Sequence, residues 1–262
     1  ISVENAAGGS GANSMIGISQ LGGASAYSGK IGGDEHGRLY REKLEDIGVS
    51  DCLAEGEGAT GSSLILVSED GARTMNTFLG MSQELMNPDI DPDIIQSSKY
   101  LYLTGYLWDT ESQKKAVLNA LDEAKKREIK VALSLSDPFC VTRHKEDFIS
   151  LLKGYASMVF CNQEEAFKLL DTDITQKAVE TLSDWTETAA LTIGAYGALI
   201  SHQGETCYID PLPVRVEDTT GAGDLFAAGF LHGHVNNLSI KESLEKGTEM
   251  SSKIIQQIGA RL

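Results

Sequence analysis

Asp218-Thr219-Thr220-Gly221-Ala222-Gly223-Asp224 runs directly into the apolar stretch Leu225 to Leu231, and both fold and chemistry are read outward from this junction. If Asp224 stands in the first turn of a helix, the N–H groups of Gly221, Ala222 and Gly223 have no intrahelical partner. The helix dipole favours negative charge at the same place. Small side chains let an incoming group approach the backbone, Thr219 or Thr220 can cap the helix, and Asp224 sets a carboxylate at the edge of the pocket. An ordinary Gly-rich turn with an acidic first-turn residue has the same pattern, so the run alone leaves both readings open.

Two rival phosphate motifs fail. A dinucleotide fingerprint needs a third glycine three residues after the second, yet Phe226 follows Gly221 and Gly223, and Ser14 follows Gly9 and Gly11. Gly29-Lys30 is followed by Ile31 and has Ala24 where a Walker A loop needs its first glycine.

The 262 residues suffice for one large α/β domain, with 41% hydrophobic and 23% charged residues, as in globular proteins. No apolar run approaches the ~20 residues of a membrane span. A net charge of -16 argues against a nucleic-acid partner, which would call for Lys/Arg clusters, while leaving room for a nucleotide held by backbone donors, a few cations and a divalent metal. Cys52, Cys140, Cys161 and Cys207 are far apart, with no zinc spacing, and read as reduced thiols of a cytoplasmic protein. His232-Gly-His234 lacks an accompanying carboxylate or cysteine and reads as a surface or helix-end pair.

Short β-rich runs alternate with helical periods: strands at Tyr100 to Leu103, Lys130 to Leu135 and Met158 to Phe160, helices at Ser112 to Arg127 and Phe148 to Leu152. This order predicts βαβ units and a largely parallel sheet. Ala189 to Ile193, Ala198 to Ser201 and Thr206 to Ile209 read as further strands, and Leu225 to His232 and Ile240 to Ile258 as late helices. Ser62 to Val67 and Arg73 to Phe78, joined by Ser68-Glu69-Asp70-Gly71, break the rhythm as an antiparallel hairpin, either a lid or a static edge.

Four more segments accompany the first: Gly8-Gly9-Ser10-Gly11-Ala12-Asn13, Gly32-Gly33-Asp34-Glu35-His36-Gly37, Asn162-Gln163-Glu164-Glu165 and Thr192-Ile193-Gly194-Ala195-Tyr196-Gly197. In this order the five resemble the ribokinase or PfkB family of carbohydrate and nucleoside kinases, over nearly the whole chain. The resemblance implies a three-layer α/β fold with a central, mostly parallel sheet and a small β lid. Residues 1–262 are then a single kinase domain with a lid hairpin at about 58–80. Family members carry several tens of residues before Gly8, so the N-terminal part is expected to be absent here.

The resemblance further implies ATP as phosphoryl donor, Mg2+ as cofactor, Asp224 as the base facing the acceptor hydroxyl, and Gly221, Ala222 and Gly223 as an anion hole. Asn162 and Glu165 match the Asn-x-x-Glu element that organises magnesium through water, although the same spacing is a helix-capping pair. Thr192, Gly194 and Gly197 match the loop along the nucleotide phosphates, for which a plain strand-to-strand turn is the alternative. Asp218 and Thr220 match positions that hold a monovalent cation such as K+ in some members.

Gly8, Gly9 and Asn13 match the segment that meets the sugar hydroxyls. Leu133 to Phe139 and Arg73-Thr74-Met75 look like the adenosine-kinase branch, with Phe139 against the purine and Arg73 beside the acceptor. The expectation is an ATP-dependent kinase acting on a primary hydroxyl of a nucleoside such as adenosine. A sugar kinase for ribose, fructose or a similar acceptor is the alternative, and a non-catalytic nucleotide-binding regulator the alternative of another class. Partners are the small-molecule acceptor and ATP, with neither nucleic acid nor membrane, in a monomer or homodimer.

Overall fold

The computed structural model describes residues 6–67 and 73–262, with the side chains of Val67 and Arg73 outside that description. The chain opens with α1 (Ser10–Gln20), β1 (Ala26–Gly32), α2 (Glu35–Ile47) and β2 (Ser50–Gly56). β1 and β2 pair in parallel, from Ala26 opposite Ser50 to Gly32 opposite Gly56, with α2 as their connection. Asp34 starts α2 by accepting the Gly37 N–H, and Gly48 ends it in the left-handed conformation.

The hairpin follows the sequence reading: β3 (Ser62–Val67) and β4 (Arg73–Phe78) pair antiparallel as a two-stranded sheet of their own. Its expected turn, Ser68-Glu69-Asp70-Gly71, lies outside the described residues. Leu64, Ile65, Leu66, Met75 and Phe78 are exposed.

The body is built from α3 (Pro92–Ser97), β5 (Tyr100–Thr104), α4 (Glu111–Lys126), β6 (Lys130–Ser134), α5 (Pro138–Arg143), α6 (Lys145–Gly154), β7 (Met158–Asn162), α7 (Gln163–Leu170), α8 (Thr175–Ser183), β8 (Thr188–Thr192), β9 (Ala198–His202), β10 (Glu205–Ile209), α9 (Ala222–Val235) and α10 (Ile240–Ile254). Its six strands run in the order β10-β9-β8-β7-β6-β5, parallel from β5 to β8 and antiparallel beyond. α10 stops four residues short of the expected Ile258, and the segment beyond it carries turns rather than helix.

Alternate residues on the parallel strands serve opposite faces. Val131, Leu133, Val159, Cys161, Ala189 and Leu191 pack with residues of α4, α6, α7 and α8, whereas Ala132, Met158, Phe160 and Ala190 pack with Phe226 and Phe230 of α9 and Leu244 of α10. The result is the expected three-layer arrangement. Helix α1 lies against α9 at Gly17, where a Cβ would meet the Ala228 Cβ at 2.7 Å and Leu225 at 2.8 Å, so only glycine admits this approach. Among the described residues no helix is long and apolar enough to cross a membrane.

Candidate active site

The C-terminal ends of β5 to β8 open on a cavity of about 2720 Å³, which the last residues of these strands, Thr104, Ser134, Asn162 and Thr192, line. Open parallel sheets present ligand sites at this edge because the helix N-termini that follow the strands supply free N–H groups. The hairpin residues Ser62, Ile65, Leu66, Met75 and Phe78 form another wall of the same cavity.

Asp224 sits in the first turn of α9, as its sequence context predicts. Its Oδ1 accepts from Ser10 Oγ at 2.6 Å and its Oδ2 from Asn13 Nδ2 at 2.9 Å, both from one face of α1. Burial raises the Asp224 carboxyl above its ordinary range, while these two hydrogen bonds pull the other way. Asn13 is only 5% exposed, and its Oδ1 is buried with no hydrogen-bond partner among the described residues. Ser10 is a site residue that the sequence reading passed over; its position three residues before Asn13 put both on one helical face.

Two details of the opening motif differ from expectation. The helix is capped by neither Thr219 nor Thr220: Gly221 is the N-cap, at φ 77°, and no side chain caps the end. Thr220 turns back instead, its N–H and Oγ1 both donating to Asp218 Oδ1 at 2.8 and 2.6 Å. The Ala222 N–H is also engaged, donating to the Thr219 carbonyl at 3.2 Å because the chain makes a tight turn into the helix. No described residue accepts from the N–H of Gly221 or Gly223, and the space beside the Gly223 Cα is open. Asp218 Oδ2 accepts from the Gly259 N–H at 2.9 Å, so this carboxylate ties the loop to the C-terminal segment.

Asn162 and Glu165 form a capping box at α7: the Glu165 N–H donates to Asn162 Oδ1 at 2.9 Å and the Asn162 N–H to Glu165 Oε2 at 3.0 Å. Asn162 Nδ2 adds a bond to Glu165 Oε1 at 2.6 Å. Glu165 nevertheless lines the cavity at 5% exposure. Burial pushes its carboxyl up to about 7, opposed by the Asn162 N–H and reinforced by repulsion from Asp137, Glu164 and Asp224. Among the described residues no three metal-ligating side chains converge. The arrangement therefore fits a magnesium ion held through water and phosphate oxygens, which would relieve that repulsion, rather than a cage of protein ligands.

Thr192 and Gly194 line the cavity. Gly197 does not; at φ 84°, a Cβ there would meet the Ile209 carbonyl oxygen at 2.0 Å, so its glycine is required by packing against β10. Gly8 and Gly9 line the cavity too, with the Gly8 carbonyl accepting from Tyr40 OH at 2.9 Å.

Phe139, in the first turn of α5, is 76% exposed and is not among the residues lining the cavity. Tyr106, just beyond β5, lines it at 45% exposure and donates its OH to the Ser136 carbonyl at 3.3 Å. Burial and the nearby Asp137, Asp224 and Glu165 raise the Tyr106 phenol, which keeps it neutral. No motif flagged this aromatic; its place after the last residue of a core strand was the available signal. The Arg73 side chain lies outside the described residues.

The profile of the "pfkB family carbohydrate kinase" matches residues 1–262. The chain belongs to the pfkB family of carbohydrate kinases. It is thus a kinase of a family whose members phosphorylate sugars or nucleosides. An "Uncharacterized sugar kinase" of Archaeoglobus fulgidus is 30% identical over 251 residues, covering 94% of this chain and 97% of that one. The crystal structure of an adenosine kinase from Sinorhizobium meliloti superposes with a TM-score of 0.93 at 36% identity, covering 98% of this chain and 80% of that one. A putative Ribokinase II from E. coli, solved with ATP and Mg2+, has a TM-score of 0.91 over 99% of this chain and 86% of its own. At 16% identity it speaks to the fold alone.

Proposed function

We propose that this pfkB kinase transfers the terminal phosphoryl group of ATP to the primary hydroxyl of a nucleoside such as adenosine. The observation that carries the reading is the Asp224 carboxylate, fixed by Ser10 and Asn13 at the start of α9 beside the unengaged N–H groups of Gly221 and Gly223.

In this reading the acceptor hydroxyl lies between Asp224 and those N–H groups. Asp224 takes its proton as the new O–P bond forms, and Ser10 and Asn13 hold the carboxylate in line. The Gly221 and Gly223 N–H groups stabilise charge on the transferred oxygens, a duty that fixed backbone dipoles perform without reorganising. Magnesium, when bound, neutralises phosphate charge; Glu165, positioned by Asn162, would orient its water shell. Thr192 and Gly194 lie where the ATP phosphates would run. A potassium ion at Asp218 and Thr220 would share Asp218 with three donors already in place.

The orphaned Asn13 Oδ1 is matched to an acceptor hydroxyl, because a buried carbonyl without a donor is costly until a ligand supplies one. Gly8 and Gly9 border the same acceptor space. The nucleobase is assigned to Tyr106, which lines the cavity, whereas Phe139 does not. Residues 58–80 serve as the lid, since the hairpin forms a cavity wall.

A sugar acceptor such as ribose or fructose is the second reading, favoured by the exposure of Phe139 away from the cavity. ADP release measured with a panel of nucleosides and free sugars decides between them. Turnover of ribose or a hexose with none of adenosine, inosine or guanosine overturns the nucleoside assignment.

A further inference from the structure

One cation in the cavity has no use in the phosphoryl-transfer scheme. Arg261 lines the cavity, and its Nε and Nη2 atoms are buried without a hydrogen-bond partner among the described residues. The segment that carries it is well anchored: Gln20 Nε2 donates to the Leu262 carbonyl at 2.7 Å, and Ala260 packs against Gly221, whose Cβ would lie 2.9 Å from that of Ala260.

The titratable groups beside the guanidinium are the phenols of Tyr27 and Tyr40. Burial raises both phenols, so both remain neutral and neither serves as a counter-ion. Tyr40 OH is committed as a donor to the Gly8 carbonyl. Among the described residues no carboxylate pairs with Arg261, although the chain carries 38 Asp and Glu against 22 Lys and Arg. Burial correspondingly lowers the Arg261 pKa, the signature of a charge lacking its compensation. Two guanidinium nitrogens withdrawn from water without acceptors are costly, and a two-oxygen anion satisfies that edge of the planar fork.

We propose that Arg261, with the Tyr27 hydroxyl beside it, forms an oxyanion subsite next to the Gly8-Gly9 loop that takes a carboxylate or phosphate group. Such a group is either a substituent of the acceptor or a free anion seated beside a neutral one. Among the described residues the Asp224 carboxylate accepts only from Ser10 and Asn13, which makes Arg261 a determinant of binding rather than of proton transfer.

The test needs no turnover, so its failure is distinguishable from failure of the kinase reading. Thermal unfolding and calorimetric titration are run without ATP on the wild type, Arg261→Gln and Arg261→Lys, against inorganic phosphate, gluconate, fructose 6-phosphate and neutral ribose. The expected result is saturable binding of at least one oxyanion by the wild type, weakened tenfold or more in Arg261→Gln and partly restored in Arg261→Lys, with ribose binding unchanged. Arg261→Gln is also expected to melt no lower than the wild type in anion-free buffer, because it removes an unpaired buried charge. Binding of phosphate as tight as that of the sugar-borne groups assigns the subsite to a free anion; stronger binding of gluconate or fructose 6-phosphate assigns it to the acceptor. Equal anion affinity in wild type and Arg261→Gln, or no binding of any probe, overturns the proposal. So does a markedly lower melting temperature of Arg261→Gln together with an unchanged anion response, which would make the residue structural.

Discussion

Asn13 gives its amide N–H to Asp224 Oδ2 at 2.9 Å and keeps its side-chain carbonyl oxygen buried without a donor among the described residues, so one side chain both orients the candidate base and waits for a ligand. Asn13→Ala should raise KM for the acceptor and lower kcat together, whereas a residue that merely packed α1 against α9 would move stability and leave both kinetic constants alone. Steady-state kinetics with denaturation in parallel makes the distinction.

Asp224→Asn keeps the shape and removes the proton acceptor, so kcat should fall by about two to four orders of magnitude with ATP affinity retained. Stability should move the other way. The raised Asp224 carboxyl binds its proton more tightly in the folded than in the unfolded chain, so its ionised form costs stability at neutral pH. The variant should therefore be the more stable protein at pH 7, with the advantage vanishing in acid below the unfolded carboxylate range. Near-normal turnover would sink the assignment of the base.

Ser10→Ala removes the 2.6 Å bond that holds the Asp224 carboxyl down. Because turnover requires ionised Asp224, the acid limb of the kcat profile should shift to higher pH. An unmoved limb would mean that Ser10 only packs.

Stacking on Tyr106 belongs to a base and not to a free sugar. Tyr106→Ala should lower kcat/KM for nucleosides roughly ten- to hundredfold, as expected for stacking of about 1–3 kcal/mol, with Phe139→Ala smaller. A larger effect at Phe139 would show that the exposed ring swings inward on binding.

Asp34 offers a test in acid. Hydrogen bonds from the Thr60 hydroxyl, the Thr60 N–H and the Gly37 N–H lower its carboxyl from 3.8 to about 2, tying the start of α2 to the segment that leads into the hairpin. A lowered carboxyl stabilises the fold above its unfolded value and loses that contribution as pH falls through the folded one. The stability gap between wild type and Asp34→Ala should therefore be full at neutral pH and close between pH 3.8 and about 2. A gap that persists unchanged at low pH would argue against these bonds as its cause.

The body of the fold was legible because its strands are buried on both faces and read as continuous apolar runs, as at Lys130 to Leu135 and Ala189 to Ile193. The β1–β2 pair escaped notice: Ala26–Gly32 mixes glycine, serine and lysine, and its pairing partner lies across α2, where no local pattern points to it. Asp224, Asn13 and Glu165 were singled out by the motifs that carry the family resemblance, and the fold brings all three to one cavity. Ser10 and Tyr106 became visible only in three dimensions, because their relevance is a distance to another element, and the engagement of the Ala222 N–H follows from turn geometry that composition does not specify.

The contact of α1 and α9 at Gly17 has a genetic consequence. A single added methyl there would wedge the two helices apart, since it would fall 2.7 Å from the Ala228 Cβ, and Ser10 and Asn13 ride on one helix while Asp224 rides on the other. A Gly17→Ala allele would then be scored in a screen as a loss of chemistry although the altered position touches no ligand. A second-site change that removed the Ala228 Cβ, Ala228→Gly, would restore activity by letting the helices close again.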